Sequence, residues 1–91
     1  MGLLLYPDGG MYYGQHEQLV RMGIGKLIEF NGSFQEGTWE GDKLTGSSCR
    51  VFDVDSGDLY SGPIVDGKRT GQGRLFDAVA DEVYEGDFEN N

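Results

Sequence analysis

A ladder of glycines runs through this chain and leaves it little choice of fold. Gly14, Gly37, Gly62 and Gly86 recur 23, 25 and 24 residues apart. Nine residues after each of the first three stands another glycine, Gly23, Gly46 and Gly71, and two of these are followed two positions on by Gly25 and Gly73. A fixed nine-residue step inside a period of about two dozen marks a repeat array. A unit this short buries no core alone and must stack on its neighbours, which builds extended binding surfaces.

The best copy of the unit shows what it folds into. Tyr60-Ser61-Gly62-Pro63-Ile64 alternates aromatic, polar, small, polar and apolar, the period of a strand. Asp66-Gly67 follows as a hairpin-turn signal, because glycine takes positive φ without steric cost. Gly71-Gln72-Gly73-Arg74-Leu75-Phe76 is then the return strand. Tyr12-Tyr13-Gly14 and Gly23-Ile24-Gly25-Lys26-Leu27 repeat the pattern, as do Gly37-Thr38-Trp39 and Gly46-Ser47-Ser48. The chain opens on the second half of a unit, Gly2 to Gly9, and closes on the first half of another, Tyr84-Glu85-Gly86-Asp87-Phe88. The expectation is one all-β domain over residues 1–91, an elongated single-layer antiparallel meander of stacked hairpins with about eight strands. Its units are a half repeat 2–11, full repeats 12–33, 34–59 and 60–83, and a partial repeat 84–91. Length variation falls between hairpins, chiefly around Asp53-Val54-Asp55-Ser56-Gly57-Asp58, where loops absorb insertions and strand pairing does not.

Glycine inside a strand normally weakens it, so something must compensate. An aromatic ring laid over the bare backbone of a neighbouring strand does so. On this reading Tyr6, Tyr12, Trp39, Phe52, Tyr60, Tyr84 and Phe88 pave one face of the sheet.

Tyr12-Gly14-Gly23-Gly25, Tyr60-Gly62-Gly67-Lys68-Gly71-Gly73 and Tyr6-Pro7-Asp8-Gly9 together resemble the MORN repeat (membrane occupation and recognition nexus) over essentially the whole chain. The resemblance implies an elongated, twisted, single-layer sheet with a groove along one face. It also implies a non-catalytic binding or scaffold role, often at cytoskeletal or ciliary structures. Four departures stand out. Ser48 replaces the second glycine of one pair, Leu19 sits where a turn glycine belongs, and His16 takes the position of Trp39 in the next unit. Phe34 stands three residues before Gly37 instead of two, which predicts a bulge there.

Charge narrows the partners. Sixteen acidic and seven basic residues give a net charge of −9, which disfavours nucleic acid and anionic lipid and suits a basic or amphipathic protein segment. The lone Cys49 forms no internal disulfide, the longest apolar run, Leu3-Leu4-Leu5-Tyr6, is too short to span a bilayer, and no signal-peptide pattern is visible. A cytoplasmic chain is expected. Three motifs look chemical and read better as structure. Gly62 to Arg69 nearly spells a P-loop, but Arg69 stands where Ser or Thr must hold Mg²⁺ and a hairpin turn replaces the helix. Asp53 to Asp58 lacks the glycine and glutamate positions of an EF-hand. His16 has no ligand or triad partner at fitting spacing. No enzyme, metal or cofactor is expected.

The leading reading is therefore a protein-interaction module. Its partner segment would lie in an aromatic groove lined by Tyr12, Phe34, Trp39, Phe52, Tyr60, Tyr84 and Phe88, with the acidic rim steering basic residues. Self-association into a homodimer through unpaired end strands is the second reading. A phosphoinositide or membrane-surface adaptor is the third, with Lys68-Arg69 as the sole adjacent basic pair.

Overall fold

Two-residue turns set the architecture. In the computed structural model, which describes residues 2–89, the hairpins close on Gln18-Leu19, Gly41-Asp42 and Asp66-Gly67, all six residues having φ between 50° and 81°. Positive φ at both central residues gives a backbone twist that matches the twist of the flanking strands. A constant two-residue turn accounts for the constant nine-residue glycine step.

The strands are β1 (Gly2–Leu5), β2 (Met11–Glu17), β3 (Val20–Ile28), β4 (Phe34–Glu40), β5 (Lys43–Asp53), β6 (Asp58–Val65), β7 (Lys68–Arg69), β8 (Gly71–Asp77) and β9 (Glu82–Phe88). They form one open antiparallel sheet in chain order, and the short β7 pairs with β6 ahead of β8. The all-β meander is therefore observed, its eighth strand becoming a ninth only because β7 and β8 are separated at Thr70. The last two residues expected in the partial repeat 84–91, Asn90 and Asn91, lie outside the described residues. The sheet measures 38 × 25 × 17 Å; eight strands at about 4.8 Å spacing span roughly 34 Å.

A line of glycines crosses the sheet. Gly2 faces Gly14, Gly14 faces Gly25, Gly25 faces Gly37, Cys49 faces Gly62, and Gly73 faces Gly86. The ladder glycines share one conformation, with φ of 158°, 152°, 152° and 156° at Gly14, Gly37, Gly62 and Gly86. The register shifts beside Gly14 and beside Gly37. The bulge at Gly37 is thus as expected, but its cause is the ladder glycine itself, since Gly14 bulges with its tyrosine in the usual place.

The core lies on one face of the sheet, here the inner face. Tyr12, Trp39, Leu44, Cys49, Tyr60 and Ile64 are buried there, with Leu4, Tyr6, Leu27, Val51, Leu75 and Phe88 packed around them. Two of the hairpin turns also hang on the preceding repeat. The Asp42 amide donates to the Arg21 carbonyl at 3.2 Å, and the Gly67 amide donates to the Leu44 carbonyl at 2.8 Å. At the other end of the hairpins the Val54 amide donates to the Ser33 hydroxyl at 2.9 Å, which satisfies the buried Ser33.

Candidate functional site

The Tyr-x-Gly motif is a local device with three copies. The hydroxyls of Tyr12, Tyr60 and Tyr84 donate to the carbonyls of Gln15, Pro63 and Asp87, three residues on, at 2.7, 2.7 and 3.0 Å. Each ring folds back over the glycine two residues after it, and those of Tyr12 and Tyr60 reach the strand beyond. A methyl group on Gly25 would stand 2.0 Å from the Tyr12 hydroxyl, and one on Gly73 would stand 2.6 Å from the Tyr60 hydroxyl. Burial pushes both phenols above their ordinary pKa, with nearby Arg21 and Arg69 pulling the other way.

The second full repeat has Gln35 in the tyrosine slot and fills the space differently. Cys49 takes the place of the paired glycine, and its Sγ would lie 2.7 Å from a methyl on Gly37. A missing ring and a missing glycine therefore compensate each other. Burial raises the Cys49 thiol pKa, which keeps it protonated and unreactive.

Repeats stack through the residue two places after each ladder glycine. The His16 ring meets Tyr12 edge-on at 6.4 Å, and the Trp39 indole meets the same tyrosine from the other side at 5.8 Å. His16 thus fills an aromatic slot, as its position predicts. Trp39 also donates to the Gly25 carbonyl at 3.0 Å. Arg21 lies over Trp39 at 4.6 Å while its Nε reaches Asp42 at 3.0 Å, and the equivalent Arg69 lies 5.6 Å from both Tyr60 and Phe88.

The seven residues expected to line a groove divide between two faces. Tyr12, Trp39 and Tyr60 are buried in the inner core, so their rings are occupied within the chain. Tyr84 and Phe88 lie on the inner face at its β9 end, in edge-on contact at 5.2 Å. Phe52 was expected to share a face with the tyrosines and does not. It follows the inner-facing Val51 and so points outward, against Phe34 at 5.6 Å.

Phe34 and Phe52 belong to a line that the aromatic pattern alone misses. Leu5, Met11, Ile28, Phe34, Phe52, Leu59, Phe76 and Val83 stand opposite one another in turn on eight successive strands. This apolar stripe lies on the outer face, and none of its members is fully buried. Beside it runs a second line, Tyr13, Lys26, Glu36, Arg50, Ser61, Arg74 and Glu85. Arg50 pairs with Glu36 and Arg74 with Glu85, each at 3.4 Å, and Lys26 lies over the Phe34 ring at 4.4 Å. At the β6–β8–β9 end the two lines enclose a shallow cavity of about 240 Å³ lined by Leu59, Ser61, Arg74, Phe76 and Val83.

Among the described residues no group of three or more His, Cys, Asp or Glu side chains is placed to hold a metal ion. The Asp53 to Asp58 loop uses the Asp53 carboxylate and the Ser56 hydroxyl to hold its own backbone, and the Asp58 carboxylate accepts from the Ala78 amide. The Asp55 amide donates to Asp53 Oδ1 at 2.9 Å, and the Asp58 amide donates to Ser56 Oγ at 3.2 Å. The P-loop-like stretch is strand β6 running into the Asp66-Gly67 turn and β7. No helix of the described residues is long and apolar enough to cross a membrane. Comparison with known proteins finds no matching family model and no similar curated protein.

Proposed function

We propose that this chain is a non-catalytic protein-interaction module of the MORN-repeat kind, and that its partner lies along the outer apolar stripe. The observation that carries the reading is that stripe. Eight apolar residues stand in line across a single sheet with no second layer over them among the described residues. Leu5, Phe76 and Val83 are exposed and the other five half-buried, and open apolar strips mark interaction sites. The inner tyrosines and Trp39 hold the scaffold, while Phe34 and Phe52 from the expected set sit in the stripe. Net charge of −9 favours a basic or amphipathic segment as the partner. Beside the stripe Glu36 and Glu85 are already paired with Arg50 and Arg74, so the contact there is apolar, with Phe34 and Phe52 at its centre. The resemblance extends the proposal to a scaffold in a cytoskeletal or ciliary assembly of the cytoplasm. A fluorescent basic amphipathic peptide titrated into the protein tests it. Binding should weaken at least tenfold in Phe52→Ser and Leu59→Ser and stay unchanged in Tyr13→Ser, which faces outward off the stripe. Equal affinity for all four proteins would sink the assignment.

A further inference from the structure

One motif stands in two different surroundings. Tyr12 and Tyr60 are 0% and 2% exposed because the following strand supplies a glycine beneath each ring. Tyr84 has the same hydrogen bond and its Gly86 has the same backbone angle, yet Tyr84 is 51% exposed. Among the described residues no strand lies beyond β9, and a neighbouring strand there would bury the ring.

The other copies define that neighbour. Opposite Gly14, Tyr12 and Met11 stand Gly25, Leu27 and Ile28. Opposite Tyr60 and Leu59 stand Leu75 and Phe76, with Gly73 against Gly62. The missing strand must therefore read glycine, any residue, leucine, apolar, in the direction opposite to β9. Strand β1 reads Gly2-Leu3-Leu4-Leu5 and forms the far edge of the same sheet. Strands alternate in direction along an antiparallel sheet, so β1 of a second copy beside β9 continues the alternation with the same face inward.

We propose that β9 of one copy takes β1 of another as its missing strand, with Gly86 opposite Gly2, Tyr84 opposite Leu4 and Val83 opposite Leu5, and that the chain self-associates head to tail. Charge selects this pairing over the symmetric one. Strand β9 carries Glu82, Glu85 and Asp87 and β1 carries no charge, so β9 against β9 would set acidic strands side by side. Two β1 strands would leave their glycines with no ring to cover them. In the proposed register Val83 and Leu5 also carry the outer apolar stripe from one copy to the next. A head-to-tail contact leaves one β1 and one β9 unused, so growth does not stop at a dimer. The charge of −9 on each copy opposes association, so salt strengthens it.

Sedimentation velocity on the 91-residue chain, over a concentration series at low and high salt, tests this. The expected result is an average mass that rises with concentration past the dimer and more steeply at high salt. Gly2→Ala blocks the ring seat and disturbs only the tip of His16, 2.9 Å from the new methyl, while Tyr84→Ala removes the ring. Each variant alone should be monomeric, and their equimolar mixture should give a dimer that does not grow. A parent that stays monomeric throughout, or a dimer that forms in Gly2→Ala alone, overturns the proposal. Disulfide trapping gives an arm independent of folding losses, because Glu85 falls opposite Leu3 in the proposed register. A mixture of Leu3→Cys and Glu85→Cys chains should yield mixed dimers above either homodimer, and homodimers in equal or greater yield would refute the register.

Discussion

Replacing Gly25 by alanine isolates the contact on which the inner face depends. Gly25 has ordinary extended backbone, so the substitution introduces no conformational strain and acts through sterics alone. Its methyl would stand 2.0, 2.3 and 2.6 Å from the hydroxyl, Cζ and Cε1 of Tyr12, against about 3.5–4.0 Å for carbon atoms in contact. Tyr12 is fully buried between His16 and Trp39 and has no room to yield. A tolerable overpacking costs about 1–3 kcal/mol, which sets the lower bound. Losing the ring from its seat costs about 3–5 kcal/mol, as aromatic-to-alanine changes do, plus about 1 kcal/mol for the Gln15 hydrogen bond, which sets the upper. The expected loss is about 3–4 kcal/mol, a large part of the roughly 5–14 kcal/mol that a domain this size has. Urea unfolding with an unchanged slope measures it as a shift in midpoint. Gly41→Ala is the control, with no atom within 4 Å of its methyl but φ of +56°, so it reports only the left-handed backbone cost of about 1–2 kcal/mol. In a Tyr12→Ala background the Gly25→Ala change should cost under about 1 kcal/mol, because the clashing ring is gone. A Gly25→Ala protein within about 1 kcal/mol of the parent, or additive costs in the double variant, would refute the ring-on-glycine account.

Three further outcomes follow from the same geometry. Leu19 holds φ of 67° in a turn that glycine suits, so Leu19→Gly should raise the urea midpoint by up to about 1 kcal/mol of stability, and a lower midpoint would contradict the turn assignment. The Arg21 backbone amide, then the Arg21 side chain, lowers the Asp42 carboxyl pKa below its ordinary value, so its folded pKa lies below its unfolded one. That contribution is present above the unfolded pKa and is lost as pH falls through the folded value; Asp42→Asn should flatten this acid limb of the stability profile, and an unchanged limb would count against the Arg21–Asp42 link. Cys49 is 1% exposed with its thiol pKa raised by burial, so a thiol reagent near neutral pH should label it only at the rate of unfolding, with immediate labelling as the contrary result.

The glycine spacing made the hairpins legible because a two-residue turn and a backbone-level ring contact both tie residues to fixed positions. His16 could be placed for the same reason, by its distance from Gly14. The outer stripe was not legible in this way. Leu5, Met11, Ile28, Leu59 and Val83 carry no motif, and they line up only once the cross-strand register is known. A signal for them does exist in the adjacent apolar pairs Leu4-Leu5, Met11-Tyr12, Leu27-Ile28, Val51-Phe52, Leu59-Tyr60, Leu75-Phe76 and Val83-Tyr84. In a strand, neighbours point to opposite faces, so a pair repeated on nearly every strand means that both faces are apolar there. Phe34 is read correctly in that light. It is the counterpart of Met11, Leu59 and Val83 and no displaced tyrosine, and Gln35 holds the tyrosine slot. The exchange of ring and glycine for Gln35 and Cys49 could not be read in advance, because it depends on which residue a bulge brings opposite Gly62.

Strict sequential pairing also decides how this sheet answers to force. The first and last described strands are its two edges, so tension between residues 2 and 89 loads the outermost hydrogen bonds singly and peels strands from the ends. Backbone hydrogen bonds tie each long strand only to its neighbours in the sheet, and ring contacts such as Tyr12–Trp39 and Tyr60–Phe88 reach just one strand further, so the load is shared only locally. Fully drawn out, 88 residues reach about 300 Å at roughly 3.4 Å each, against the folded length of 38 Å. Under load the chain is a spooled tether that lengthens hairpin by hairpin and rewinds when released.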